Sequence, residues 1–230
     1  PAASSGIFRA QPRMAPCPSP PAPRSCTTRS RRPTPRPAPF KKLAKGIKKD
    51  HALGLELWST GDLHSRLLAV LILDKKLLDE ALVDALCADM EAHPEKSQTR
   101  VMEWLMANQL SKSAGGKRMM ESWEHSESAL QRRTFWYHQA RLRWRGKTGH
   151  GDTEHLVDAL DERLADETPI VPMMMNFCAG WIGVFEPELR GRVVEVGERV
   201  GLYRGDPVPR GCTPPYLPEF IEYQSARVGT

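Results

Sequence analysis

Residues 130–147 read LQRRTFWYHQARLRWRGK, and this is the stretch of the chain that is most informative about its fold. Cations and aromatic rings alternate along it without an acid, and the spacing predicts one long helix. At about 100° per residue, its apolar members share one arc: Ala129, Leu130, Trp136, Tyr137, Ala140 and Trp144. Arg133 falls in the middle of that arc. A guanidinium placed where a core should be either pairs with a buried acid or lines a cavity for an anion.

Helices joined by short turns continue on both sides of this stretch, and no strand alternation is present. Amphipathic helices alternate with helices that are apolar nearly all round, as a stack of antiparallel helix pairs requires. We therefore predict an all-α curved solenoid whose inner helices line a groove. The predicted helices cover residues 40–58, 62–73, 77–91, 97–110, 117–123, 126–144, 154–166, 169–184 and 187–200, and an irregular segment covers 201–218.

Two regularities support this arrangement. A tryptophan is followed eight or nine residues later by an arginine at three places: Trp58 and Arg66, Trp123 and Arg132, Trp181 and Arg190. This spacing favours structural repeats. The helices predicted to be inner also each hold isolated polar residues, which would converge on the groove: Arg66, Asn108, Gln109, Arg133 and Asn176.

Charge is distributed unevenly along the 230 residues. Residues 1–49 hold 12 of the 33 cations and no acid, so the rest of the chain carries 21 cations against 28 acids. Residues 1–40 are rich in Pro, Arg and Ser, and we expect them to form a disordered basic tail. Such a tail suits an organellar transit peptide, or equally an upstream extension with Met14 as an internal start. It lacks the apolar segment of a secretion signal.

A local basic patch stands out against the acidic remainder of the chain. Residues 100–147 hold ten cations and four acids. Arginines interleaved with tryptophan and tyrosine offer phosphate contacts and stacking surfaces for nucleic acid. The alternatives are a solvated face, or arginines that pair with acids of neighbouring helices.

Other chemistries find little support in the sequence. Five dispersed cysteines indicate a reducing, intracellular setting, and no metal-ligand framework is present. The Gly-rich turn at 113–117 lacks the spacing of a phosphate loop, and there is no nucleophile elbow or dinucleotide fingerprint. We expect no metal, no cofactor and no membrane span.

Five segments together resemble the DNA alkylation repair family, whose alkylpurine DNA glycosylases are built from HEAT-like repeats: Leu55–Leu78, Val101–Leu110, Glu121–Trp144, Asn176–Phe185 and Pro187–Tyr203. The similarity covers roughly residues 45–223. It implies a HEAT-like or armadillo-like α-α superhelix over residues 41–225, with duplex DNA held in a concave basic groove.

The resemblance also bears on catalysis. Active members of the family use an aspartate shortly after a tryptophan, in the helix pair that corresponds to residues 87–110. Here the tryptophan position is taken by Met90 or His93, and the aspartate position by Ser97 or Thr99. Without a fixed carboxylate the main electrostatic stabilisation of the transition state is lost. The chain thus resembles a divergent branch that lacks the catalytic pair, and its catalytic residues stay unknown.

From these observations we expect a monomeric, intracellular DNA-binding protein, nucleoid-associated in a prokaryote or organelle-targeted by the tail. The DNA-binding residues we expect are Arg66, Arg118, Arg132, Arg133, Arg141, Arg143 and Lys147. The expected groove lining is Trp104, Asn108, Gln109, Trp136 and Asn176. Two alternatives remain: an active N-alkylpurine glycosylase of base excision repair, and a solenoid that binds proteins.

Overall fold

A computed structural model describes residues 37–144 and 153–229. In these two ranges the chain is helical, with no strand and with two short 3₁₀ helices at Leu110–Lys112 and Ser122–His125. The α-helices are α1 Pro37–Ile47, α2 His51–Ser59, α3 Leu63–Ile72, α4 Glu80–Glu91, α5 Glu95–Asn108, α6 Ala114–Glu121, α7 Ala129–Trp144, α8 Thr153–Arg163, α9 Pro172–Phe185, α10 Pro187–Val200 and α11 Leu217–Val228. Across the same residues, no helix has both the length and the apolar character that crossing a membrane requires.

The helices form two layers. In the inner layer α3, α5, α7 and α9 pack side by side, with α1 against α3 and α11 against α9. In the outer layer α2 packs on α3, α4 on α5 and α7, α6 on α7, and α8 and α10 on α9. This alternation confirms the predicted all-α, HEAT-like arrangement of helix pairs.

The inner helices are apolar nearly all round because neighbours cover most of their surface. On α9, Gly180 and Gly183 lie against α11, where a Cβ on Gly180 would approach Phe220 Cδ1 to 2.4 Å and one on Gly183 would approach Ile221 Cδ1 to 2.5 Å. Only glycine permits this close approach. The glycines that interrupt the apolar run of α9 are thus contact positions for α11.

Some helix boundaries differ from the prediction. The helix predicted over 40–58 is two helices, because the chain turns at Lys48, whose φ is 68°, and Asp50 then caps α2 by accepting a hydrogen bond from the Leu53 amide at 3.0 Å. α1 begins at Pro37, so residues 37–40 are helical rather than part of the predicted tail, and the rest of that tail lies outside the described residues. α11 was not predicted.

The tryptophan–arginine spacing has a structural cause. Arg66 Nε donates to the Trp58 carbonyl at 3.2 Å, at the end of α2. Arg132 Nη1 donates to the Ser126 carbonyl at 2.7 Å, after the second 3₁₀ helix, and Arg190 Nε donates to the Gly183 carbonyl at 2.7 Å, near the end of α9. Carbonyls at a helix end lack intrahelical partners. At each of the three places, an arginine of the next helix donates to a carbonyl at or just after the end of the preceding helix.

Candidate nucleic-acid interface

The inner helices present one face that no outer helix covers, and we call it the inner face. Its members are partly exposed or, in the case of His64, exposed; they recur at helical spacing on α3, α5 and α7, and one lies on α9. They are His64, Leu71, Trp104, Asn108, Tyr137, Arg141, Trp144 and Phe177. The ring of Tyr137 contacts that of Phe177 with centroids 6.3 Å apart, and the Arg141 guanidinium lies over the Tyr137 ring at 5.8 Å. The inner face therefore combines aromatic rings with a cation on one partly exposed surface.

Arg133 lies in the core between α7 and α5. Its side chain is 1% exposed, and Nη2 donates to Glu103 Oε1 at 2.8 Å. Nε and Nη1 are buried and find no acceptor among the described residues. The structure therefore pairs Arg133 with a carboxylate, the first of the two alternatives that its position on the apolar arc leaves open.

Three further arginines from the predicted binding set are also held by protein groups. Arg66 bonds to carbonyls and lies over the Trp58 ring at 4.9 Å. Arg132 forms two bonds to the Glu167 carboxylate, at 3.0 and 2.7 Å, which raise the pKa of Arg132. Arg143 donates to Glu186 Oε1 at 2.9 Å and is buried. Because these guanidiniums stabilise contacts between helices, little of their charge is available to a ligand.

Two of the remaining predicted cations lie at the surface of the protein and not in its core. Arg118 is exposed on α6, and Arg141 lies on the inner face over Tyr137. Lys147 lies outside the described residues.

The predicted groove-lining residues also divide into two groups. Trp104 and Asn108 lie one turn apart on the inner face of α5, and Asn108 Nδ2 donates to the Trp104 carbonyl at 2.9 Å. Gln109 and Asn176 are buried and donate to the backbone, at Val70 and Leu73 for Gln109 and at Pro215 for Asn176. Trp136 is 1% exposed, packs edge-to-face with Phe135, and belongs to the core rather than to the groove.

An open basic pocket of about 510 Å³ lies between α1 and the end of α5, and we call it the lysine pocket. Its lining consists of Lys41, Ala44, Lys45, Lys48, Lys49, Leu71, Asn108 and Lys112. Lys49 is also 3.0 Å from Asp74 Oδ1, while Lys41 and Lys45 form no ion pair within the described residues. A site lined by five lysines and no carboxylate suits an anion.

Sequence reasoning missed this pocket because the lysines of α1 merge into the acid-free N-terminal region. One signal was available in the spacing of Lys41 and Lys45, which lie four residues apart and so share one face of a helix. Their convergence with Lys112, more than sixty residues along the chain, depends on the packing of α1 against α3 and is not visible in the sequence.

A group with three potential metal ligands lies on the outer layer. Ligand atoms of Glu124, His125 and His155 all lie within 4.8 Å of one another. Arg163 already uses two of them, since Nη2 donates to Glu124 Oε1 at 2.8 Å and Nη1 lies 3.2 Å from His125 Nδ1. A guanidinium there favours an ion-pair network over a cation site, and we assign no metal to it.

His138 is a buried imidazole on α7. Burial, together with the charges of Arg141 and Lys117, lowers the pKa of His138 to about 4. The folded protein therefore favours the neutral form of His138. The stability that results from this lowered pKa is fully present above about pH 6.5, the pKa of a histidine in the unfolded chain. That contribution is lost as the pH falls from about 6.5 toward 4.

We expect the free energy of unfolding of the wild type to fall over this pH range by about 2 kcal/mol more than that of His138→Gln, whose amide does not titrate. Urea unfolding of both proteins at a series of pH values measures the difference. The same pH dependence in both proteins would show that His138 does not titrate as its burial indicates.

Comparison with known proteins agrees with this architecture. The family described as DNA alkylation repair enzyme matches residues 35–177. A search of curated proteins found no match. A solved structure is similar, with a TM-score of 0.63 and 18% sequence identity over 84% of this chain and 81% of the other. It is described as "A new family of proteins related to the HEAT-like repeat DNA glycosylases with affinity for branched DNA structures".

Proposed function

The chain belongs to the DNA alkylation repair enzyme family, and from this membership we propose that it binds DNA along its inner face. The lysine pocket is the observation that carries the proposal, because five lysines line it at one end of that face and only Lys49 among them pairs with an acid of the described residues. Lysines neutralise backbone phosphates without reading the sequence. The affinity of the structurally similar protein for branched DNA structures supports DNA as the class of ligand.

We place the main phosphate contacts on α1, whereas the sequence alone predicted them mainly on α7. Arg132, Arg133 and Arg143 are held by Glu167, Glu103 and Glu186 and serve the packing of the helices. The expected DNA contacts of Arg118, Arg141 and Lys147 remain part of the proposal, with Arg141 next to the Tyr137 ring on the inner face.

The lining of the lysine pocket also favours a polyanion over an apolar peptide. A protein-binding groove has an apolar centre with aromatic anchors. In the lysine pocket the apolar lining comes only from Ala44, Leu71 and the lysine stems, and the charges all have one sign.

One observation favours glycosylase activity as a second candidate function. Glu103 is a carboxylate on α5 with 35% of its side chain exposed, and it is oriented by Arg133. Burial of the Tyr137 hydroxyl, and secondarily the negative charge of Glu103, raises the pKa of Tyr137. A fixed carboxylate of this kind could stabilise a cationic sugar as an alkylated base leaves.

Replacing two pocket lysines tests the DNA-binding proposal. We expect Lys41→Gln with Lys45→Gln to weaken binding to a duplex about tenfold at low salt, because two phosphate contacts are lost. The slope of log affinity against log salt concentration should fall by about two. Fluorescence anisotropy of the full chain over a salt series measures both quantities.

The matched control is Lys42→Gln with Lys76→Gln, which removes the same charge from exposed lysines that do not line the pocket. We expect the control to keep its salt slope within about 0.5 of the wild-type value. Equal losses in both double variants would contradict a defined site and leave only a general charge effect.

A further inference from the structure

Three aromatic rings from three different helices meet beside the lysine pocket. Phe40 of α1 stacks on His64 of α3 with ring centroids 5.7 Å apart and an angle of 20° between the planes. The Phe40 ring also meets the edge of Trp104 of α5, at 6.2 Å and 89°. Phe40 and Trp104 are partly exposed and His64 is exposed. We call this group the aromatic platform.

The aromatic platform and the lysine pocket are continuous. On α1, Phe40 is followed directly by the pocket residue Lys41, and Lys45 lies one turn further along the same side. On α5, Trp104 precedes the pocket residue Asn108 by one turn. A chain of phosphates crossing the lysines would therefore carry its bases past the rings.

The chemistry of this combination distinguishes single strands from duplexes. Bases inside a duplex are stacked on one another, so their faces are not available to protein rings. Proteins that hold single-stranded nucleic acid combine a positive groove with aromatic rings on which successive bases stack. A purely structural role would not require an exposed ring such as His64 at the edge of the cluster.

We propose that the aromatic platform and the lysine pocket together hold the single-stranded arm of a branched DNA. An unpaired base stacks on the platform while the adjoining phosphates contact Lys41 and Lys45. The duplex part of the same DNA continues along the inner face toward Tyr137 and Arg141. This inference rests on the proposed DNA binding and names the DNA structure that the site prefers.

The test compares two probes that share one duplex: the blunt duplex, and the same duplex with a single-stranded flap. We expect the full chain to bind the flap probe several-fold more tightly in fluorescence anisotropy. Phe40→Ala should weaken flap binding about tenfold, as loss of one stacked base does, and change duplex binding less than about twofold. His64→Ala should act in the same direction with a smaller effect.

Two further variants keep the result interpretable. Phe40→Leu retains an apolar contact with α3 but removes the ring, so a loss of flap preference in this variant reports stacking rather than the docking of α1. Tyr223→Ala removes a partly exposed ring on α11, at the far end of the inner layer, and should leave both affinities unchanged. Circular dichroism confirms that each variant is folded.

The outcomes separate this inference from the proposed function. In one outcome, Lys41→Gln with Lys45→Gln weakens duplex binding, but the Phe40 and His64 variants bind both probes as the wild type does. This result would overturn the stacking role of the aromatic platform and leave the proposed DNA binding intact. If the Phe40 variants weaken both probes equally, the platform does not recognise single strands and is likewise overturned. If no lysine or aromatic variant changes either affinity, the proposed function itself fails.

Discussion

Arg133→Ala is expected to lower the free energy of unfolding by about 3 kcal/mol. The guanidinium is 1% exposed and forms an ion pair with Glu103 at 2.8 Å, so its removal leaves a cavity and a half-buried carboxylate without its partner. Urea unfolding followed by circular dichroism measures the change. DNA affinity, corrected for the folded fraction, should stay within about twofold of the wild-type value, because phosphates do not reach this side chain.

Arg133→Met is the control for this prediction. It fills much of the same volume and removes the two buried N–H groups that lack an acceptor, Nε and Nη1. Glu103 loses its partner in this variant too, but 35% of its side chain is exposed to water, and the methionine leaves a smaller cavity than alanine does. We therefore expect a smaller loss, of about 1 kcal/mol. A variant Arg133→Ala that unfolds like the wild type but binds DNA tenfold more weakly would show that Arg133 serves the ligand instead.

Base release from N-methylpurine DNA tests the glycosylase alternative. We expect the full chain to release no alkylpurine above the uncatalysed background. At the position that the resemblance assigns to the catalytic aspartate this chain has Ser97 or Thr99, neither of which carries a charge, and the charge of Glu103 is neutralised by Arg133. Loss of a preorganised electrostatic group alone reduces rates by about 10²–10³-fold. Chromatography of released bases over a time course measures the rate.

Glu103→Gln is the deciding variant for that experiment. Base release by the wild type that Glu103→Gln abolishes would establish the glycosylase function and identify Glu103 as the carboxylate that performs it. Release that survives Glu103→Gln would contradict the expectation and point to a different acid. Glu121→Gln is the control, because this carboxylate is exposed at the end of α6, in the outer layer.

Helical periodicity predicted most of the fold. The alternation of amphipathic and apolar helices is recovered as outer and inner layers, and α7 at Ala129–Trp144 falls within the predicted 126–144. The periodic signal reports burial on one side of a helix, which local sequence contains. α11 was missed because Pro218 and a Pro/Gly-rich approach resemble a loop, although proline in the first turn of a helix is well tolerated.

The candidate site was less accessible to sequence reasoning. A run of arginines predicts positive charge but does not reveal the acids that neutralise it. Arg132 meets Glu167 from 35 positions away, and Arg133 meets Glu103 from 30. These partners come together through packing between helices. The tryptophan–arginine spacing was visible, yet its meaning as a cap on the preceding helix required the position of the carbonyls.

The same reasoning explains why we propose α1, and not α7, for the main phosphate contacts. Arginine forms planar, multiply bonded contacts and is favoured for ion pairs inside a protein, as in α7. Lysine remains hydrated and mobile on the surface, which suits phosphate contacts that position DNA without specifying sequence. The division between arginines in the core and lysines at the pocket therefore follows from the chemistry of the two side chains.

Hydrogen exchange of the full chain, with and without a flap duplex, shows which helices DNA covers. We predict slower amide exchange in α1 at Pro37–Ile47 and in the Trp104–Asn108 turn of α5 when the DNA is bound, while α8 and α10 of the outer layer exchange as before. Protection of α8 or α10 together with unchanged exchange in α1 would contradict DNA binding by the lysine pocket and the inner face.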